Sequence, residues 1–351
     1  MLITEGTDLS GKSTLISNIL IKHAKRLATN DPHDFGFKFH HYSLLPEDWD
    51  YFTDYLKTIT INGLTDRFVF SELVYGPYFR GAANQRLTQT KLEMIMMELL
   101  TQGSVNIYCR PELEVLLERY DKRTEGDEVL ESKSQEGKSK AEAGRENLKN
   151  ILDLFDTQNW RMIPTLVLNN IGDIDDLVDQ CLDFWEPYRK MALAFKKLNC
   201  GGWGSLAPEY VVVGERPNDK AAQWQRPFSN PSSQPSEYPT TSGEFVFRLM
   251  REGGIKPMQW HVTNVFHSGQ DKSYLFEEIA FLKPTKGIIA MGAVAQGQVK
   301  EIIDSSGWSV PVLNMPHPQY IRRFQHKLFN RWVDVLKSFQ KRRGTMTVKT
   351  P

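Results

Sequence analysis

From Met1 to about residue 195, short β-prone runs alternate with stretches whose apolar positions recur at helical spacing. The runs Met1–Glu5, Phe37–Tyr42, Leu64–Phe70, Ser104–Arg110 and Pro164–Leu168 predict strands. Between the third and fourth, Leu92, Ile95, Met96, Leu99 and Leu100 recur at i, i+3, i+4, i+7 and i+8, which predicts one apolar helix stripe. The adjacent pair Met96-Met97 reads as core filling. Such alternation predicts a parallel sheet with crossover helices. Residues Lys122 to Glu146 are almost wholly charged or small and polar, which suits a solvated loop or an exposed helix. A helix from Ile174 to Leu198 stops at Asn199-Cys200-Gly201-Gly202-Trp203-Gly204. The pattern then restarts: a strand at Tyr210–Gly214, a Pro/Ser-rich loop from Pro227 to Pro239, and a helix at Gly243–Glu252. Strands follow at Trp260–Phe266, Gly287–Met291 and Val310–Leu313, then a helix and a basic tail from Lys337 to Lys349. The expected organisation is an α/β domain over 1–198, a linker over 199–207, a second α/β domain over 208–336, and a tail over 337–351.

A length of 351 residues suits two domains, and 40% apolar residues exclude a disordered chain. Lys plus Arg equals Asp plus Glu at 43 each, so a nucleic-acid role needs a local basic face rather than bulk charge. Cys109, Cys181 and Cys200 lie too far apart for metal-ligand spacing and read as reduced thiols. Gly6 interrupts the first apolar run, and no apolar stretch reaches the ~18 residues of a membrane span. The expectation is a cytoplasmic protein with no membrane partner.

Gly6-Thr7-Asp8-Leu9-Ser10-Gly11-Lys12-Ser13 fits G-x4-G-K-[ST], directly after a predicted strand and ahead of an amphipathic helix carrying Leu15, Ile16, Ile19 and Leu20. Glycines let backbone N–H groups converge on phosphate oxygens at a helix N-terminus. Gly6 through Ser13 and Thr14 thus form a nucleoside triphosphate site, with Lys12 on the β/γ phosphates and Ser13 on Mg²⁺. Glu5-Gly6-Thr7-Asp8-Leu9-Ser10-Gly11-Lys12-Ser13-Thr14 resembles the thymidylate kinase and deoxynucleoside kinase family. So does Asp66-Arg67-Phe68 at the end of the third strand. The resemblance implies that Asp66 sits near the metal and Arg67 near the acceptor or transferred phosphate. It also places a lid over Lys122–Glu146, with Arg119 or Arg123 clamping the transferring group. After the second strand, where thymidylate kinases carry Arg-Glu-Pro, this chain reads Tyr42-Ser43-Leu44-Leu45-Pro46-Glu47-Asp48-Trp49. A phosphate acceptor wants cations and a hydroxyl acceptor wants a general base, a role open to Glu47 or Asp48.

Residues 208–330 resemble the uracil-DNA glycosylase superfamily, with several short motifs in that family's order. These are Val213-Gly214-Glu215-Arg216-Pro217-Asn218, Pro227-Phe228-Ser229, Thr263-Asn264-Val265, Met291-Gly292-Ala293-Val294-Ala295-Gln296 and His317-Pro318. The resemblance implies that Phe228 stacks on an everted base, Asn264 reads its pyrimidine edge and His317 stabilises charge on it. Arg216 stands where the best-known members carry a catalytic aspartate, and arginine cannot act as a base at neutral pH. Glu215 is the neighbouring carboxylate. Asn218 stands where uracil-specific members place a tyrosine that excludes a 5-methyl group. Members with an iron–sulfur cluster need four cysteines, so none is expected here. Tyr320 or Ile321 fits a minor-groove wedge, and Arg322, Arg323 and the tail fit DNA phosphates.

Three functions stay open on these residues. One is an ATP- and Mg²⁺-dependent kinase acting on a 5-substituted pyrimidine such as 5-hydroxymethyluracil within DNA, like the phage hydroxymethyluridine DNA kinases. Its catalytic set would be Lys12, Asp66, Arg67 and Glu47 or Asp48. The second is a thymidylate-like deoxynucleoside monophosphate kinase with an appended module. The third is an active base-excision glycosylase with a regulatory P-loop half.

Overall fold

The computed structural model describes residues 1–28, 38–42, 49–80, 87–124, 140–157, 162–169, 171–216, 226–229, 241–266, 274–324 and 328–341. The chain divides into two compact units, Met1–Arg86 with Ser104–Arg189, and Leu87–Gly103 with Lys190–Pro351.

The first unit holds five strands: β1 (Leu2–Glu5), β2 (Lys38–His41), β3 (Gly63–Asp66), β4 (Val105–Cys109) and β5 (Thr165–Leu168). They form one parallel sheet in the order β2-β3-β1-β4-β5. Its helices are α1 (Lys12–Ala28), α2 (Thr53–Thr58), α3 (Val69–Arg80), α5 (Leu113–Thr124), α6 (Lys140–Thr157) and α7 (Ile174–Lys197), of which residues up to Arg189 belong here. Labels follow chain order, and α4 (Gln89–Thr101) lies in the other unit. Period-2 alternation sends Val105, Ile107 and Cys109 to one face, packed with Ile16 and Ile19 of α1 and Val178 and Trp185 of α7. Tyr108 packs on the opposite face with Val74, Ile151 and Phe155. A parallel sheet covered on both faces follows.

The third strand is shorter than its sequence predicts. β3 stops at Asp66, Arg67 turns with φ +66°, and α3 begins at Val69. Phe68, Val69 and Phe70 are buried, and a continuous apolar run does not distinguish a strand from a buried helix start.

The second unit holds β6 (Trp203–Gly204), β7 (Tyr210–Gly214), β8 (Trp260–Asn264), β9 (Gly287–Met291) and β10 (Val312–Met315), in the order β10-β9-β7-β8-β6. β6 runs antiparallel to β8 and the other pairs are parallel. Helices α4, α8 (Ser242–Glu252), α9 (Leu275–Leu282), α10 (Ala293–Ser306), α11 (Pro318–Phe324) and α12 (Phe329–Gln340) complete it.

Two features depart from the domain organisation expected above. Leu87–Gly103 groups with the second unit although its sequence position is within the first. Trp203 and Gly204, expected in a linker, form an edge strand. The two are joined: Gly204 N–H donates to Thr101 Oγ1 at 2.7 Å. Leu92, Met94, Ile95, Met96, Met97, Leu99 and Leu100 of α4 are all buried. Among the described residues, no helix is long and apolar enough to cross a membrane.

Candidate functional site

β1 ends in a loop whose backbone only glycine permits at its first turn. Gly6 has φ +139°, and a Cβ there would lie 2.4 Å from the Cys109 carbonyl oxygen. Leu9 and Gly11 also take positive φ, and α1 starts at Lys12. Lys12 Nζ donates to Gly6 O at 2.9 Å, Thr7 O at 2.5 Å and Ser10 Oγ at 3.3 Å. Burial, reinforced by the Arg67 charge, pulls the lysine pKa below its ordinary value. A buried cation at a helix N-terminus, held by loop carbonyls, is built to face an anion.

Parallel pairing places the C-terminal ends of β1, β2 and β3 together, with His41 and Thr4 both in register with Asp66. Asp66 Oδ2 accepts from Ser13 Oγ at 3.1 Å and lies 3.1 Å from His41 Nδ1. An ionised carboxylate only accepts, so His41 Nδ1 carries the hydrogen. Asp66 Oδ1 is buried with no hydrogen-bond partner among the described residues. A hydroxyl and a half-satisfied carboxylate are hard oxygen donors of the kind Mg²⁺ takes alongside phosphate oxygens and waters. The residues present therefore fit that ion.

Arg67 forms an ion pair with Asp8 and lies 5.0 Å over the Tyr75 ring. Arg119 donates to Leu9 O at 3.0 Å. The loop, His41, Asp66, Arg67, Arg119 and Arg123 line a cavity of about 740 Å³. Thr14 follows Ser13 on the exposed side of α1 and also lines it. Gly172, Ile174 and Leu177 add apolar lining to it. Sequence reasoning missed these three; the signal was an apolar helix start after the last strand of a P-loop sheet. Glu47 and Asp48 lie outside the described residues.

Glu5 was also missed, although it immediately precedes the loop motif. Its Oε1 accepts from Phe68 N–H at 2.7 Å and Ser71 N–H at 3.2 Å, and its Oε2 accepts from Ser71 Oγ. Full burial pushes its pKa up to about 7, against the lowering effect of these hydrogen bonds. Glu5 thus caps the first turn of α3 and braces the left-handed backbone at Arg67 from the inside.

The second unit places its motifs at the C-terminal edge of its parallel strands, where ligands of open α/β sheets bind. Gly214 ends β7 opposite Asn264 at the end of β8. A Cβ on Gly214 would lie 2.5 Å from Asn264 Oδ1 and 2.6 Å from Phe228 Cζ. Ring and amide therefore converge on one bare stretch of backbone. Asn264 is 1% exposed, and among the described residues neither its Oδ1 nor its Nδ2 has a partner. An unpaired buried amide is costly, so it marks a place where a ligand completes the hydrogen bonding.

His317 follows β10 and lies against Gly292, which follows β9 with φ +96°. Gln319 N–H donates to His317 Nδ1 at 3.2 Å. A backbone N–H can only donate, so Nδ1 is the acceptor and Nε2 carries the hydrogen. Burial lowers the His317 pKa, opposed by the Glu215 charge, and this favours the neutral donor form. Arg216 is exposed and lies 5.2 Å over the Phe266 ring. Asn218 and the basic residues Arg342 and Arg343 lie outside the described residues. On α11, Tyr320 is 48% exposed with its ring 5.3 Å from that of Phe324, and Arg322 and Arg323 follow it. An aromatic face, an amide and an imidazole N–H are the elements needed to hold a flat heterocycle by its face and edge.

Among solved structures, the chain is similar to the YorR protein of Bacillus subtilis in complex with phosphorylated GDP. The identity is 20%, covering 53% of this chain and 95% of that one, with a TM-score of 0.38. It is also similar to deoxyadenosine kinase from M. mycoides with bound dCTP, at 16% identity over 53% of this chain and 100% of that one, with a TM-score of 0.29. The search of curated proteins finds no match. Residues 202–339 match the model of the uracil DNA glycosylase superfamily, so the likeness carried by the short motifs of the second half extends across its fold.

Proposed function

We propose that this chain is an ATP-dependent phosphotransferase whose acceptor is the hydroxyl of a 5-substituted pyrimidine, of the 5-hydroxymethyluracil type, held in DNA. In this reading the second unit binds duplex DNA and everts the base without excising it, as part of a phage DNA modification. The observation that carries it is the buried Asn264 amide, without a partner among the described residues, beside Phe228 in a chain that also holds a P-loop cavity. A base-gripping niche supports DNA as the acceptor, and Arg216 at the place of a catalytic aspartate supports eversion over cleavage.

The chemistry assigns roles as follows. The acceptor hydroxyl oxygen attacks the γ-phosphorus of ATP, the bond to the β–γ bridging oxygen breaks, and ADP leaves. The hydroxyl proton passes to a carboxylate, for which Glu47, Asp48 and Asp66 are the candidates. Lys12 and Arg119 stabilise charge on the transferring group, and Arg67 orients it. Mg²⁺, held by Ser13 and Asp66, would neutralise charge on the β and γ phosphates.

The test is to incubate the protein with duplex DNA containing 5-hydroxymethyluracil, with and without ATP, then digest and weigh the nucleosides. A phosphorylated nucleoside that needs ATP, with no free base released, is the expected result. Free base and abasic sites appearing without ATP would overturn it in favour of excision.

A further inference from the structure

Glu98 of α4 and Arg226 form a two-point ion pair. Arg226 Nε donates to Glu98 Oε2 at 3.0 Å and NH2 donates to Oε1 at 2.9 Å. The remaining guanidinium nitrogen donates to Gly202 O at 3.2 Å. The carboxylate side chain is 12% exposed and the guanidinium side chain 22%. The segment that follows is fastened at each step: Trp203 Nε1 donates to Pro227 O at 2.8 Å, and Ser229 Oγ donates to Arg226 O at 2.8 Å. Between these ties Phe228 takes φ +54°, a region a bulky residue enters only when its surroundings over-determine it. The far end of the brace is firm as well, because Gln102 donates to Glu98 Oε1 at 2.8 Å and α4 is packed among buried side chains.

We propose that Glu98 and Arg226 are positioning residues for Phe228, so that the base-binding niche depends on a helix the chain inserts between α3 and β4. This rests on the reading of Phe228 as the face that stacks on an everted base. A guanidinium–carboxylate fork fixes distance and angle together, which a lysine or a single hydrogen bond does not. With the fork intact, the ring is held over Gly214. With it broken, the backbone at Phe228 relaxes toward negative φ and carries the ring away.

The test uses the full chain and a duplex with 2-aminopurine beside the target pyrimidine, whose fluorescence rises when the neighbouring base leaves the stack. F228A sets the baseline. E98Q and R226K are expected to lower the fluorescence gain and weaken duplex binding about five- to tenfold, E98Q adding nothing further on top of F228A. The reversed pair E98R/R226E is expected to recover part of the signal. R226K keeps the charge and the fold, so it decides the matter if E98Q melts early. Full signal in both E98Q and R226K, with signal lost in F228A, would overturn the positioning role and leave the proposed function standing. Losses that simply add to that of F228A would also overturn it. A full signal in F228A would instead remove the stacking reading itself.

Discussion

Lys12 is folded into its own loop, held by the Gly6 and Thr7 carbonyls, while Ser13 and His41 converge on Asp66 at the end of β3. Such a lysine acts on charge that develops during transfer, so Lys12→Ala is expected to cut phosphoryl transfer by at least about 10²-fold. DNA affinity in that variant is expected to stay within error of the native value; a gel-shift titration beside the kinase assay checks both. Glu5 gives a pH signature. Its folded pKa of about 7 lies above the ordinary carboxylate value, so the folded state binds the extra proton between those values. Stability is therefore expected to fall as pH rises from about 4.5 to about 7, by up to ~3 kcal/mol, and then to level off. Denaturant melts of native protein and Glu5→Gln across that range check it, the variant lacking the slope. Asn264→Ala is expected to cost about 1–3 kcal/mol of discrimination between pyrimidine targets, read as the ratio of duplex affinities. Lys12 and Ser13 were singled out by the G-x4-G-K-[ST] spacing and its phosphate-binding mechanism, and Asp66 and Asn264 only by the resemblance of their short segments to two families. Glu5 and His41 were not, because their roles come from register across β1, β2 and β3, which no local pattern encodes.

At the scale of elements, α4 shows how far a hydrophobic stripe can be read. The spacing of Leu92, Ile95, Met96, Leu99 and Leu100 gives a helix and a buried face, and both are present. It does not say which sheet that face covers. Glu93 to Arg251 at 2.8 Å, Glu98 to Arg226, and Thr101 to Gly204 attach it within the second unit. A fragment spanning 190–351 is thus expected to expose the surface that α4 covers and to melt without cooperativity. Joining 87–103 to it by a flexible linker is expected to restore a cooperative transition, followed by circular dichroism. The β-strands were legible to within a few residues wherever turn residues bounded an apolar run. The end of β3 was not, because Asp66-Arg67 turns the chain through a left-handed residue in the middle of apolar sequence. Trp203–Gly204 was read as linker because two residues in a glycine-rich stretch carry no periodicity of their own; it becomes a strand by pairing with β8.

At the scale of the whole molecule, one chain carries a sheet that ends in a P-loop and a sheet with an aromatic–amide niche, at zero formal net charge. Bulk attraction to DNA is therefore absent, and under the proposed function duplex binding would rest on local cations such as Arg322 and Arg323 and on the fit of one base. A pyrimidine gripped by its hydrogen-bonding edge keeps its C5 substituent off that edge, available to a second chemistry. The presence of both units was legible because the P-loop and the ordered short motifs are each local in sequence. The direct test of the account offers γ-labelled ATP with three acceptors in parallel: thymidylate, hydroxymethyldeoxyuridylate and duplex DNA containing hydroxymethyluracil. The account predicts that label stays with the DNA and is lost when the duplex is replaced by either free nucleotide. Equal or greater labelling of the free nucleotides would contradict it and make this a nucleotide kinase.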